Sequence, residues 1–195
     1  MKKPFIIYII LALAIIGKSC KQKVEEKTVV IDGQEIETTE SEGRPSSNTS
    51  LKELTEEQLQ LIEKDIEKAK IFAEKYSKVN QGILESKNLD LILNAWKMDL
   101  SPEKESEELV VALIGSAFGQ NIVDNLDCEW KVLSDEYGTD LTVIHKEYKI
   151  NGFPYSSVYK AIVEEREKSL DGIELIIKSK IQEAKSEMEI DIREK

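Results

Sequence analysis

The stretch "CEWKVLSDEYGTDLTVIH", residues 128–145, decides the fold of this chain. Two β-rich segments, "EWKVLS" and "DLTVIH", flank an acidic "DEYG" sequence in which Gly138 tolerates the positive φ of a tight turn. Alternation along the first strand places Trp130 and Val132 on one face of it, and alternation along the second strand places Val143 on one face of that strand. The pattern predicts a packed antiparallel β-hairpin.

The same stretch holds two candidates for chemistry, Cys128 and His145, the second of which is the only histidine of the chain. They begin one predicted strand and end the other, so strand pairing would bring them close together. A Cys–His pair is the minimal apparatus for acyl transfer or thiol chemistry. However, no Gly-rich oxyanion turn is adjacent, and a lone cysteine is more often a small buried hydrophobe. A small-ligand-binding protein or weak hydrolase using this pair is therefore the alternative to a non-catalytic domain.

Other sites are poorly supported by the sequence. One histidine and one usable cysteine cannot fill a usual zinc site, and "DEYGTD" lacks the spacing of an EF-hand calcium loop. The sequence contains no P-loop, dinucleotide fingerprint or Gly-x-Ser-x-Gly elbow. We expect no metal site, no cofactor and no catalytic residue, although enzymatic activity stays open.

The N-terminus has the pattern of a secretion signal. Lys2 and Lys3 precede an apolar run, Phe5–Ile16, whose twelve residues span about 18 Å as a helix, well short of a hydrocarbon core of about 30 Å. A small residue stands directly before Cys20, which resembles a bacterial lipoprotein signal, where the cysteine is lipidated. We therefore predict a signal peptide over residues 1–19 and lipidation at Cys20. Ordinary secretion and an uncleaved anchor are the alternatives.

This signal also predicts location and excludes one class of partner. Cleavage before Cys20 would remove three lysines and leave 24 basic against 38 acidic residues, a formal charge of −14. Such a surface repels phosphate backbones, so we expect no nucleic-acid partner. We expect a lipid-anchored protein of the bacterial cell envelope, on the periplasmic or outer-membrane face. It would contact the membrane through its lipid and bind an envelope protein.

The composition divides the remaining chain into a tether and one domain. Residues 20–53 are polar and acidic, which is typical of a linker. Asp32-Gly33 within them lies between β-branched runs and predicts a local two-stranded hairpin. Residues 54–195 carry the long apolar patterns. We predict that they form a single α+β domain.

Helices dominate the pattern of that domain. Thr55 and Gln58 form a capping box at the start of an apolar stripe that runs to about Asn80. A short buried helix is predicted at "LDLILNAWKMDL", and Ser101-Pro102 is predicted to open the next helix. After the hairpin, "EYKING" predicts a third short strand. Two more helices are predicted from Phe153-Pro154 to about Glu167, and over "LDGIELIIKSKIQEAKSEMEI".

The most apolar helix, "ELVVALIGSAFGQNIVDNL", contains Gly115 and Gly119. Glycine in a helix interior costs about 1 kcal/mol relative to alanine, so we expect another helix or the hairpin to pack closely against this bare backbone. The predicted fold is thus a helix-rich α+β domain. A small antiparallel sheet of two to three strands packs on this central helix.

These segments resemble a known family. The stretches "LIGSAFGQNIVDNLDCEWKVLSDEYGTDLTVI" and "FPYSSVYKAIVEE" are similar to the bacterial domain of unknown function 3806, over about Leu89 to Ile181. The similarity lies in the small-residue helix ending in "FG", the tryptophan-bearing strand, the acidic turn and the Phe-Pro helix start. The resemblance implies an α+β fold found in exported or toxin-immunity-like proteins, and it implies no known activity.

The acidic turn is the predicted binding site. Loop tips on a rigid scaffold carry function more often than strand interiors do. An aromatic residue among carboxylates suits a basic or amphipathic protein surface, whereas the alternative is an acidic turn kept only for solubility. The predicted site residues are Asp135, Glu136, Tyr137 and Asp140, and the aromatic residues that follow in the sequence are Tyr148, Phe153, Tyr155 and Tyr159.

Overall fold

The structure is a computed structural model that describes residues 24–31, 34–41, 49–77, 84–136, 138–163 and 169–193. The signal peptide, Cys20 and Tyr137 lie outside the described residues. The helices are α1 (Glu56–Tyr76), α2 (Ser86–Met98), α3 (Glu107–Asn125), α4 (Pro154–Val163) and α5 (Leu170–Arg193). The strands are β1 (Val24–Ile31), β2 (Gln34–Ser41), β3 (Ser50–Lys52), β4 (Cys128–Asp135), β5 (Gly138–His145) and β6 (Asn151–Gly152). The fold is α+β, as predicted.

Two antiparallel sheets are formed by the described strands. β1 pairs with β2 on either side of Asp32-Gly33, as the local pattern predicts. The larger sheet has the order β3-β4-β5-β6, so it has four strands rather than two or three. The additional strand is β3, whose three residues pair with Val132–Ser134 of β4 and lie in the segment that the sequence assigns to the linker. Local composition does not predict this strand, because only the distant strand β4 supplies its hydrogen-bond partners.

The central helix is α3, and its glycines are contact points. The aromatic ring of Tyr155 in α4 lies over Gly115, where an added Cβ would be 2.6 Å from ring atom Cδ1. The Trp130 indole of β4 fills the equivalent space at Gly119, and its Nε1 donates to Gln120 Oε1 at 3.2 Å. The expected close approach to α3 is therefore made by both a helix and the hairpin.

The first helix begins as its capping box predicts. The Gln58 amide donates to Thr55 Oγ1 at 3.3 Å, and the Thr55 amide donates to Gln58 Oε1 at 2.9 Å. The helix ends at Tyr76, earlier than the predicted Asn80, because Ser77 has extended backbone angles. Its buried face includes Phe72, and α1 contacts α3. In contrast, the apolar residues Leu61 and Ile71 are exposed.

The prediction that Ser101-Pro102 opens a helix is wrong. The helix starts at Glu107, where the Ser106 side chain caps it by accepting the Leu109 amide at 3.3 Å. Residues 101–105 are held instead by hydrogen bonds to side chains at the end of α2. The Ser101 amide donates to Asp99 Oδ1 at 2.8 Å, and Trp96 Nε1 donates to the Glu105 carbonyl at 3.2 Å. These side chains, rather than helix propensity, determine the backbone of this turn.

The junction of α1 with this turn is a polar network around Tyr76. Its phenol oxygen lies 2.7 Å from Asp99 Oδ2 and 2.8 Å from Glu105 Oε2. The ammonium group of Lys75 binds the Glu105 carboxylate at 2.8 and 3.0 Å. Burial is the largest of the effects that raise the pKa of Tyr76 to about 12, and the hydrogen bond from Tyr76 lowers that of Asp99 to about 2. The network joins the end of α1 to the residue after α2 and to the turn that precedes α3.

The last two helices follow the hairpin. α4 begins at Pro154 and is described to Val163, and residues 164–168 lie outside the described part. α5 is anchored by a carboxylate from α2. Asp90 accepts hydrogen bonds from the Leu170 amide at 2.7 Å, the Asp171 amide at 3.1 Å and the Ser169 hydroxyl at 2.6 Å. None of the described helices combines the length and the apolarity that a membrane span requires.

Candidate functional site

The turn-proximal half of the hairpin brings two of the predicted carboxylates together. Asp135 is opposite Gly138 in the β4–β5 register, and Leu133 is opposite Asp140. Directly opposite residues project to the same face of an antiparallel pair, and residues two positions apart along a strand share that face. Asp135 and Asp140 therefore lie on one face of the hairpin, although five positions separate them in the sequence.

This face forms one wall of an open cleft of about 310 Å³. The opposite wall comes from α4 and the residue before it, because the chain turns away from the sheet at Pro154. The β wall is acidic, whereas the helical wall offers an aromatic ring, two hydroxyls and an ammonium group. The lining residues are Leu133, Asp135, Gly138, Asp140, Phe153, Ser156, Ser157 and Lys160.

The charged groups of the cleft differ in their hydrogen bonds and ion pairs. Asp135 Oδ1 accepts the Gly138 amide at 3.2 Å, which ties this carboxylate to the turn. Asp140 and Lys160 are both exposed, and neither has a salt bridge to another described residue. Their charges are thus presented to solvent on opposite walls. The charges of the cleft suit a ligand with a cationic group on one side and an anionic or polar group on the other.

The remaining predicted site residues are placed less favourably. Glu136 is exposed at the turn but does not line the cleft, and Tyr137 lies outside the described residues. The aromatic residues that follow do not form one cluster. Tyr155 is packed against α3, where its hydroxyl lies 2.9 Å from Ser116 Oγ, and Tyr148 stacks on His145. Of this group only Phe153 lines the cleft.

Cys128 and His145 are directly opposite each other in the ladder, as hairpin pairing predicts. Cys128 is 2% exposed, and its Sγ donates to the Leu126 carbonyl at 3.4 Å. Burial raises the pKa of this thiol to about 11, and the nearby carboxylate of Asp127 acts in the same direction. The side chain is therefore a thiol at neutral pH, whereas a cysteine nucleophile reacts as the thiolate.

The imidazole of His145 is also engaged in structure. Its Nδ1 accepts hydrogen bonds from the amides of Glu147 and Tyr148, both at 3.1 Å, and its ring stacks on Tyr148 at 4.7 Å. An Nδ1 that accepts two amide hydrogen bonds is not free to accept a proton from a substrate. His145 is 5% exposed, so its ring is shielded from solvent as the Cys128 thiol is. This pair closes the base of the hairpin.

Three cleft residues on α4 are not identified by the sequence reasoning: Ser156, Ser157 and Lys160. They lie within one turn of α4, and the spacing of 156 and 160 places two of them on the same side of the helix. This periodicity is visible in the sequence. Nothing local, however, indicates that this side faces the end of the hairpin. Among the described residues, moreover, no group of three or more His, Cys, Asp or Glu side chains is arranged to hold a metal ion.

The fold and the cleft define a small α+β domain with an open, charged groove between a β-hairpin and the helix that follows it. Residues 89–172 match the family model described as domain of unknown function (DUF3806). The matched segment runs from α2 to the start of α5 and contains both walls of the cleft. The resemblance seen in the sequence is therefore confirmed for this segment. Comparisons with curated proteins and with solved structures find no match.

Proposed function

We propose that this protein is a lipid-anchored component of the bacterial cell envelope whose α+β domain binds another protein without catalysing a reaction. The lipid would be attached at Cys20, and the residues between Cys20 and β3 would tether the domain to the periplasmic or outer-membrane face. The observation that carries the binding role is the cleft. It places Asp135 and Asp140 opposite Lys160 and the ring of Phe153.

The acidic wall favours a basic or amphipathic protein surface over an anionic ligand. A formal charge of −14 after cleavage before Cys20, with 24 basic and 38 acidic residues, opposes nucleic acid in the same way. The alternative role, small-ligand binding or hydrolysis by Cys128 and His145, has less support. Both side chains are buried, and each already makes a hydrogen bond to the backbone.

The binding role is tested by charge reversal in the cleft. We expect Asp140→Lys to lose the partner in pull-downs from detergent-solubilised envelope, because it places a cation where a basic partner surface would bind. Attraction between exposed charges is screened by salt, so binding to the wild type should weaken as salt is raised. The comparison is made by quantitative mass spectrometry of the captured proteins.

Asp124→Lys is the matched control, because it makes the same change of charge at an exposed position of α3. The carboxylate of Asp124 accepts a hydrogen bond within its own helix, from Gln120 Nε2 at 2.7 Å. This variant should retain the partner. If both variants capture the same proteins as the wild type, the cleft is not the binding site. If both lose the partner, net charge rather than the cleft accounts for the binding.

A further inference from the structure

The edge strand β6 is short, so part of β5 beside the cleft is left without a partner strand among the described residues. β5 pairs with β4 along its whole length, from Gly138 to His145. On its other side it pairs with β6 only at Val143 and Ile144. In the described residues, the first half of β5 therefore has a ladder partner on one side only. This unpaired edge lies next to the α4 wall of the cleft, since Gly138 and Asp140 line the cleft too.

The direction of the backbone groups along this edge follows from the hydrogen bonds near its end. His145 donates its amide to the Ile150 carbonyl at 2.8 Å and accepts the Lys149 amide at 3.2 Å. Its backbone groups therefore point away from β4. Because this direction alternates along a strand, the amides and carbonyls of Thr139 and Leu141 also point away from β4.

Proline explains why the sheet does not use these groups. The register that joins Val143 to Gly152 would next place residue 154 opposite Leu141. Pro154 has no amide hydrogen to donate, and it begins α4, which carries the chain away from the edge. Thr139 is exposed and Leu141 is half-buried. Together they offer two amides and two carbonyls to an added strand.

We propose that an extended segment of a partner protein adds to β5 at Thr139 and Leu141, antiparallel to β5 and in line with β6. This inference rests on the proposed protein-binding function and specifies how the cleft binds. Strand addition at an exposed edge combines backbone hydrogen bonds with side-chain specificity on alternate residues.

The charge of the cleft specifies the partner further. A residue of the added strand that lies opposite Asp140 projects to the face that carries both Asp140 and Asp135. A lysine or arginine there would pair with the acidic wall. The residues on either side would direct their backbone groups towards Thr139 and Leu141. The segment is therefore an extended peptide with a basic residue between two residues of high β-propensity.

The probe is the capped peptide acetyl-Thr-Val-Lys-Val-Thr-amide, labelled with a fluorophore and titrated with the full chain in detergent micelles. Fluorescence anisotropy measures the binding. N-methylation of both valines blocks the amides that face β5, and we expect it to weaken binding by about tenfold or more, given about 1 kcal/mol for each hydrogen bond. N-methylation of the lysine is the matched control. It should leave the affinity unchanged, because that amide faces away from β5.

Protein variants test the same edge. Thr139→Pro removes one amide that points away from β4 and leaves the hydrogen bonds between β4 and β5 in place, so it should weaken binding severalfold through the loss of one hydrogen bond. Thr139→Val loses only the hydroxyl and should bind like the wild type. Melting temperatures establish that both variants are folded; if Thr139→Pro is unfolded, the methylated peptides alone decide. Sedimentation of the unliganded chain checks a different occupant. A dimer that Thr139→Pro dissociates would assign this edge to a second copy and overturn the inference.

The outcomes separate this inference from the proposed function. Equal effects of the valine and lysine methylations, or no saturable binding of the peptide, would overturn strand addition. If replacing the peptide lysine by glutamate weakens binding while methylation has no effect, the acidic wall binds basic segments without strand addition, and the proposed function stands. Loss of the partner in Asp140→Lys pull-downs bears on the function alone.

Discussion

Gly119 is a residue at which the hairpin packs directly on the backbone of the central helix. An added Cβ would overlap the Trp130 indole and lie 2.9 Å from Pro154 Cγ. We predict that Gly119→Ala destabilises the domain by about 1–3 kcal/mol, the usual cost of overpacking, despite the better helix propensity of alanine. Urea unfolding monitored by circular dichroism measures the change.

A second substitution identifies the cause. Trp130→Phe shortens the ring that meets the new methyl group, so the loss from Gly119→Ala should be smaller in the Trp130→Phe background than in the wild type. Additive losses in this double-mutant cycle would mean that the two residues do not interact in this way.

The raised pKa of Tyr76 predicts that the stability of the folded protein depends on pH. Burial raises its pKa from 10.0 to about 12, so the folded protein retains a proton that the unfolded chain releases. The stabilisation is fully present below pH 10 and is lost as the pH rises towards 12. We predict that Tyr76→Phe loses less stability than the wild type between pH 9 and pH 11. Urea unfolding at the two pH values gives the comparison.

The control for this residue is Tyr159→Phe, which removes a phenol that is 45% exposed and lies outside this network. Its alkaline loss of stability should match that of the wild type. An equal loss in Tyr76→Phe would contradict the role of the Tyr76 network.

At the scale of elements, α5 depends on a cap from another helix. Asp90 of α2 accepts the first two amides of α5, across 80 and 81 positions of sequence. We predict that Asp90→Ala costs about 1–2 kcal/mol, near the upper end for a helix cap, because it also separates α5 from α2. Melting temperature and amide hydrogen exchange in the first turn of α5 measure the effect. Asp124→Ala, at an exposed position of α3, should leave both unchanged.

Some helix boundaries can be predicted from the sequence and others cannot. Thr55 and Gln58 cap α1 with groups three residues apart, so the pattern is local and the prediction is confirmed. Asp90 and α5 form a cap that no local pattern contains. The wrong start for α3 has a different origin, because the bonds that hold residues 101–105 are short-range: Asp99 accepts the Ser101 amide two positions on, and Trp96 donates to the Glu105 carbonyl nine positions on.

At the scale of the whole molecule, the tether and the domain are predicted to act independently. Cys20→Ser should abolish fatty-acid labelling and release the protein from the membrane fraction, because the thiol that would carry the lipid is gone. The melting temperature of the domain should not change. Cys128→Ser is the control and should label and fractionate like the wild type. A Cys20→Ser variant that still labels would show that the lipoprotein assignment is wrong.

The sequence by itself determined the α+β class, the hairpin over residues 128–145 and the close contact at Gly115 and Gly119. Each follows from alternation, turn chemistry or helix propensity within a few neighbouring residues. Two of the four predicted site residues, Asp135 and Asp140, also lie in the cleft.

Only the tertiary structure decided where the opposite wall of that cleft comes from and how the sheet ends. Lys160 faces the acidic pair because α4 leaves the sheet at Pro154 and packs on α3 beside the hairpin. β3 joins the sheet because β4, about 80 positions later, supplies its hydrogen bonds. Pairing and packing between distant segments depend on the energy of the whole fold, so no short window of sequence contains them.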